Sequence, residues 1–206
     1  MTQKEREEKA EDLVRMSQEG EFIVDFVKLF VSKLDEFEKD FSKLDLRELN
    51  VNFADTSKWQ TDNRMELEMS EEDLNFINKV SNYFANCNFS DSDLRWSNFR
   101  GVNLENTNFS GANLEASNLA DTYLKEANLE DSNLSVSNLK GSCLKDANLV
   151  GANFLNARLD NVNFEGSKLD PETLKYIRAR MITDTKDVKG IELRPKKVRE
   201  QDCSFG

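Results

Sequence analysis

From Phe84 to Leu169 every fifth residue is leucine or phenylalanine, 18 positions in succession without an insertion. Two residues ahead of these centres the chain is small: Ser in 7 units, Ala in 5, Thr and Val in 2 each, with Cys87 and Asn82 completing the set. Immediately ahead of the centre, asparagine takes 12 of the 18 places. A period of five fits neither a helix at 3.6 nor a flat strand at 2. It requires a backbone that turns a corner once per unit, with one small and one large residue inward and three residues outward. One such coil cannot bury its own apolar positions, but stacked coils can, which is the physics of a solenoid.

The units 111–115 (GANLE), 126–130 (EANLE), 146–150 (DANLV) and 151–155 (GANFL) carry the pattern most plainly. They resemble the pentapeptide-repeat family, whose units read A(D/N)LXX, and the resemblance covers about residues 82–171. It implies an all-β solenoid with helical flanks: a right-handed, four-sided β-helix with four units per coil. Eighteen units then make about 4.5 coils, a stack ~22 Å tall at the usual strand spacing.

Open solenoid ends expose core and strand edges, so both ends are expected to carry caps. Residues 70–81 predict an N-terminal capping helix, with Ser70 as N-cap, three acidic residues behind it, and Leu74, Ile77 and Val80 on one face. Residues 172–206 hold a C-terminal capping helix and a basic tail; Asp170 is the N-cap, Pro171 the first helical residue, and Leu174, Ile177 and Met181 the apolar face. Residues 1–69 read as an N-terminal helical appendage with an irregular segment. A charged first helix reaches about Ser17 and Gly20 ends it. A second runs over 21–44, where Ile23, Val27, Phe30, Leu34, Phe37, Phe41 and Leu44 recur at steps of four and three, a heptad seam. Packing on the chain's own β-helix or on the first helix, and docking to a second copy or a partner, all suit it. A membrane surface does not, because Asp25, Asp35, Glu36, Glu38 and Asp40 occupy its polar face. Residues 45–69 are irregular, with LRELNVNFADTSKW as a degenerate repeat or a strand docked on the first coil.

Composition then narrows the chemistry. There is no histidine, which removes His-based acid/base work, Ser/Cys–His pairs and His-ligated zinc. Three cysteines are too few and too scattered for a disulfide framework or a metal knuckle; Cys87 and Cys143 are expected as free thiols. Glycines 101, 111, 141 and 151 follow the repeat and form no phosphate loop. No catalytic, cofactor or metal residues emerge, and an enzyme is not expected. No run approaches ~18–20 apolar residues and the start lacks a signal core, so a cytoplasmic protein without membrane contact is expected.

The net charge of −11 raises the question of a DNA mimic. Some pentapeptide-repeat relatives resemble duplex DNA in shape and charge and protect DNA gyrase. Residues 1–81 carry 12 basic and 21 acidic groups, residues 82–171 carry 7 and 12, and residues 172–206 carry 9 and 6. The acidic excess therefore sits mainly ahead of the repeat. On the repeat, the face of Leu129 is the most acidic, with Asp91, Glu130, Asp131 and Asp170 thinly spread. The leading expectation is a non-enzymatic protein–protein interaction module, a possible homodimer, binding a protein partner and not nucleic acid directly. Gyrase protection is the alternative.

One face stands apart. Stacking by 20 residues puts Trp96, Ala116 and Val136 in one outward column with Leu155 beside it; elsewhere Val150 is alone. Trp96, Val136 and Leu155 are the candidate interaction surface. The favoured occupant is the chain's own helix over 21–44, with an external partner as the other reading.

Overall fold

The computed structural model describes residues 1–19, 32–51 and 82–181. The helix expected over 70–81, the seam residues Ile23, Val27 and Phe30, and the basic tail lie outside these residues.

The period of five builds a coil with four corners. Every centre from Phe84 to Phe154 is at most 2% exposed. From Asn88 to Asn148 the residue before each centre forms a parallel bridge with its counterpart 20 residues on, as in Asn88↔Asn108, Asn113↔Asn133, Asn118↔Asn138 and Tyr123↔Cys143. These bridges are isolated, and no extended strand occurs among the described residues. The reason is the corner: the second residue after each centre, from Asn86 to Gly166, has φ between 54 and 73°. A left-handed residue every five positions ends each side before a strand can grow.

Each corner is satisfied twice over. The left-handed N–H donates to the next coil, as Ala116 does to the Ser135 carbonyl at 2.9 Å. The inward small residue donates back to the preceding centre, through its N–H and in several units its hydroxyl, as Ser132 Oγ does to the Leu129 carbonyl at 2.8 Å. Outside, the asparagines form ladders. Asn108, Asn128 and Asn148 each donate Nδ2 to the Oδ1 one coil below, at 3.0, 3.2 and 3.0 Å, and Asn88 does the same to Asp40. That Oδ1 also accepts the N–H two residues on, which holds the corner.

The solenoid starts earlier than the unbroken pattern. Asp40, Asp45 and Asn50 bridge Asn88, Asp93 and Asn98, 48 residues away rather than 20. Phe41, Leu46 and Val51 are therefore buried centres, and Phe84 completes their coil after residues 52–81. This corrects the boundary placed at residue 82 and the helix drawn to residue 44. Helical backbone ends after Asp35, and Glu38 and Lys39 turn left-handed at φ 48 and 63°. Leu34, Phe37 and Phe41 are buried against the first coil, as the reading of packing on the chain's own β-helix expects. The early units were hard to read because Leu44 and Leu49 occupy the small-residue places. Phe41, Phe89 and Phe109 stack with centroids 4.9 and 5.2 Å apart.

Helices lie against both ends of the stack. α1 (Gln3–Glu19) opens with a capping box, Thr2 Oγ1 accepting the Glu5 N–H and Glu5 accepting the Thr2 N–H. Its Ala10, Leu13 and Ser17 are buried. In the first coil the residue before each centre has no coil below it to receive its N–H. Ser17 Oγ accepts the Asn50 N–H at 3.1 Å, and Arg6 donates to the Asp40 and Ser42 carbonyls. At the other end, α2 (Pro171–Met181) is N-capped by Asp170. Asp170 Oδ2 accepts the Gly151 N–H, Thr173 Oγ1 donates to the Ala152 carbonyl, and Tyr176 Oη accepts the Asn156 N–H at 2.7 Å. Thr173 and Ile177 form the buried face, with Leu174 only half-buried.

Candidate interaction face

The four sides differ in what they show outward. The side of Leu129 carries Asp91, Glu130, Asp131 and Asp170, none of them in an ion pair among the described residues. The side of Leu119 pairs Arg100 with Asp121 and Arg158 with Asp160. The side of Leu124 pairs Lys125 with Glu105 and Glu126, and Lys145 with Glu165. The fourth side, centred on Leu94, Leu114, Leu134 and Phe154, carries the apolar stripe.

Trp96, Val136 and Leu155 are 52, 55 and 54% exposed. The expectation that the helix over 21–44 covers them fails for its described part: Leu34, Phe37 and Phe41 are enclosed in the first coil. The structure brings Trp96 and Val136 into the same corner column, with Ala116 between them, each at φ near 60°. Their N–H groups donate to Glu115, Leu155 and Ser135 carbonyls, Ala116 serving the last. For an L-residue this conformation costs about 1–2 kcal/mol, and a β-branched residue such as Val136 is rarely found there.

A chain of charges, which the sequence reading did not pick out, runs beside the stripe. Asp93 grips Arg95 with both oxygens, Nε–Oδ1 at 2.9 Å and Nη2–Oδ2 at 2.7 Å, and also faces Arg47 at 3.8 Å. Arg47 in turn pairs with Asp45, whose carboxyl is held below its usual range chiefly by the Arg47 hydrogen bond. Arg95 lies over the Trp96 ring at 5.1 Å. The signal was present in the sequence as Asp-x-Arg repeated at 45–47 and 93–95, but their stacking depends on the 48-residue offset.

The thiols have no place on this face. Cys87 fills an inward position, and burial pushes its thiol up to about 12 against the opposing charge of Lys39. Cys143 is disulfide-bonded, so the expectation of free thiols holds for Cys87 and fails for Cys143. Among the described residues no helix is long and apolar enough to cross a membrane.

A family model for pentapeptide repeats matches residues 83–115, 117–154 and 137–170, in eight copies. Among solved structures, the chain is similar to HetL, a pentapeptide repeat protein involved in heterocyst differentiation regulation from the cyanobacterium Nostoc sp. strain PCC 7120. The identity is 21% and the TM-score 0.48, over 65% of this chain and 50% of that one. It is similar also to a pentapeptide repeat protein of the Arabidopsis thaliana thylakoid lumen, with 25% identity and a TM-score of 0.45 over 46% of this chain and 66% of that one. A third is a trypsin-treated form of QnrB1, a plasmid-mediated fluoroquinolone resistance protein: 19% identity, TM-score 0.23, 46% of this chain and 72% of that one. The chain thus spans about half the length of HetL. Comparison with curated proteins finds no match.

Proposed function

Since the chain belongs to the pentapeptide-repeat family through residues 83–170, we propose that it works as a non-enzymatic scaffold whose outer faces engage a protein partner. In this reading the rod is a right-handed, four-sided β-helix of 21 units, just over five coils, closed by α1 and α2, and it acts in the cytoplasm. The observation that carries the reading is the collection of Trp96, Val136 and Leu155 on a single side, while Val150, among the described residues, is alone on its own. The interior is occupied by the centres, so the faces are where a rigid rod of this kind meets other molecules.

Photo-crosslinking from each side tests it. A benzophenone amino acid is placed at Glu130, Glu115, Lys140 or Lys145, one per side, in cells that make the protein. A discrete adduct from Glu115 and from no other position is expected. Adducts from no side would end the scaffold reading.

Gyrase protection has one observation in its favour, the carboxylate column of Asp91, Glu130, Asp131 and Asp170, none of which is in an ion pair among the described residues. The column is thin, and on the neighbouring side Lys125 and Lys145 neutralise Glu105, Glu126 and Glu165. The expected result of a supercoiling assay is no relief of fluoroquinolone inhibition at micromolar protein; dose-dependent relief would move the function to that column.

A further inference from the structure

The corners of this solenoid ask for residues that tolerate left-handed backbone, and on three sides glycine, asparagine and aspartate supply almost all of them, Lys43 and Glu126 excepted. The column of Trp96, Ala116 and Val136 does not follow that rule. A corner needs no tryptophan and works against a valine, so these side chains are kept at the expense of local conformational fit. Trp96 and Val136 are also among the most exposed large apolar groups of the described residues. Two independent features, strain and exposure, thus fall on the same column.

Trp96 is set in place before anything binds. The Arg95 guanidinium stacks on its ring, and Asp93 fixes Arg95 through two hydrogen bonds. A large aromatic whose rotamer is already held loses little freedom on association, which is the character of an interface anchor.

The size and charge of the face decide between occupants. Three large apolar side chains, each half exposed, offer roughly 300 Å², given about 150–250 Å² for a large side chain. A stable dimer buries about 800 Å² on each partner. The outward charges of this side are Asp45, Glu48, Asp93 and Glu115 against Arg47 and Arg95, a net of −2. Two copies face to face would oppose like charges, whereas a cationic ligand is complementary. Among the described residues Glu115, beside Ala116, is in no ion pair, while both arginines are held by carboxylates. Pairing of a strand to the rod's ends is obstructed, because α1 and α2 bond the backbone edges there.

The spacing selects the form of the ligand. Coils rise by about 4.8 Å. An α-helix lying along the rod advances about 5.4 Å per turn, and a strand about 6.8 Å per same-face pair. A helix keeps pace with the coils, and the small Ala116 between Trp96 and Val136 makes a hole for one of its knobs. We propose that the side bearing Trp96, Ala116, Val136 and Leu155 docks an amphipathic α-helix of a protein partner, with an apolar side chain seated over Ala116 and a lysine or arginine opposite Glu115. This names the partner class for the scaffold reading and rests on it.

The probe is a stapled helical peptide with leucines at i, i+4, i+7 and i+11 and lysines flanking them, alongside a scrambled isomer and a version with glutamates for the lysines. The full chain carries Trp59→Phe, so that emission reports Trp96 alone. The ordered cationic peptide is expected to blue-shift that emission and bind with a Kd of about 1–100 μM. Trp96→Asn, whose binding is read from the anisotropy of a labelled peptide, and Val136→Asn each place a corner-favouring residue in the column. They are expected to weaken binding at least about tenfold while leaving the melting temperature unchanged or raised. Glu115→Gln is expected to weaken the cationic peptide several-fold and to reduce the salt dependence. Equal binding of the scrambled or glutamate peptide overturns the proposal, as does absence of binding at 1 mM or indifference to Trp96→Asn. A dimer of the free protein that Trp96→Asn dissolves overturns it in favour of a second copy. If the peptide fails while the Glu115 crosslink persists, the helix is wrong and the scaffold stands.

Discussion

Asp121 and Gly141 stand one coil apart in the same corner column, and Asp121 Oδ1 lies 2.6 Å from where a Cβ on Gly141 would be. The same relation joins Asp91 to Gly111, Asp131 to Gly151 and Asp146 to Gly166. The glycines answer two demands at once, a left-handed backbone (φ 72° at Gly141) and room for the carboxylate below. Gly141→Ala is therefore expected to destabilise the protein by about 1–3 kcal/mol. Asp121→Ala in the same chain should return the steric part and leave the backbone part. Urea unfolding of the two single variants and the double one separates them; additive costs would show that the carboxylate simply swings away.

Asn128 makes three bonds outside the core. It donates to Asn108 Oδ1 at 3.2 Å, and its own Oδ1 accepts the Asn148 amide at 3.0 Å and the Glu130 N–H at 3.3 Å. Asn128→Ala breaks the ladder in its middle and should cost about 1–3 kcal/mol. Asn128→Asp keeps the acceptor and loses only the donor, so a smaller loss is expected above the carboxyl's titration. An Asn128→Ala protein with an unchanged unfolding midpoint would show the ladder to be ornamental to stability.

Leu129 is fully enclosed, with centres above and below it. Leu129→Ala leaves a cavity and should cost about 2–5 kcal/mol. Leu129→Lys buries an ammonium with no partner and should abolish the cooperative melting transition. A soluble Leu129→Lys protein melting like the parent would refute the register of the coils.

Where each unit keeps a small residue, an asparagine and a large centre in phase, the sequence alone shows which residues face in. That is why Phe84 to Leu169 could be read residue by residue. It fails at 40–51 because the signal there belongs to two patterns. Leu34, Phe37, Phe41 and Leu44 satisfy helical spacing, and Phe41, Leu46 and Val51 satisfy the step of five. The stacking energy of Phe41 on Phe89 is a contact between residues 48 apart, and no local window contains it. The charged segment at the start read as appendage, since Ala10, Leu13 and Ser17 make a narrow, weakly apolar stripe. Its role comes from Arg6 and Ser17, polar residues that bond a backbone edge. On the candidate face, the exposure of Trp96 and Val136 was legible from the stacking rule. The left-handed strain beneath them was not, because it needs the backbone angle at each corner.

That role for α1 gives a further expectation. Without residues 1–19, the Asn50 N–H and the Asp40 and Ser42 carbonyls lose their partners, and the apolar side of the first coil is uncovered. A chain starting at residue 20 should associate through this end and form large particles in light scattering. Ser17→Ala is the milder probe, with an expected loss of about 1–2 kcal/mol for one unpaired N–H. A truncated chain that stays monomeric at the parent's melting temperature would remove α1 from any stabilising role.

Asp170 links the last coil to α2, and its titration offers a test of that link. Its carboxyl is held well below its ordinary value of 3.8, first by the Thr173 hydroxyl, then by the N–H groups of Thr173 and Gly151, with burial acting weakly the other way. A carboxyl whose pKa falls on folding stabilises the folded state at every pH above its unfolded value. That contribution is lost as the pH drops below about 4 toward the folded value. Asp170→Asn keeps an oxygen for the Thr173 N–H but carries no charge to strengthen the bonds or to titrate. The variant should therefore melt below the parent at pH 7. The gap should narrow as both are taken from pH 5 to pH 2, because only the parent loses this group's share. Melting curves at unit pH steps read the difference directly, with the other carboxylates common to both proteins. A gap that stays constant down to pH 2 would mean that the Asp170 charge contributes nothing to holding α2 on the solenoid, and that its capping bonds act as neutral ones.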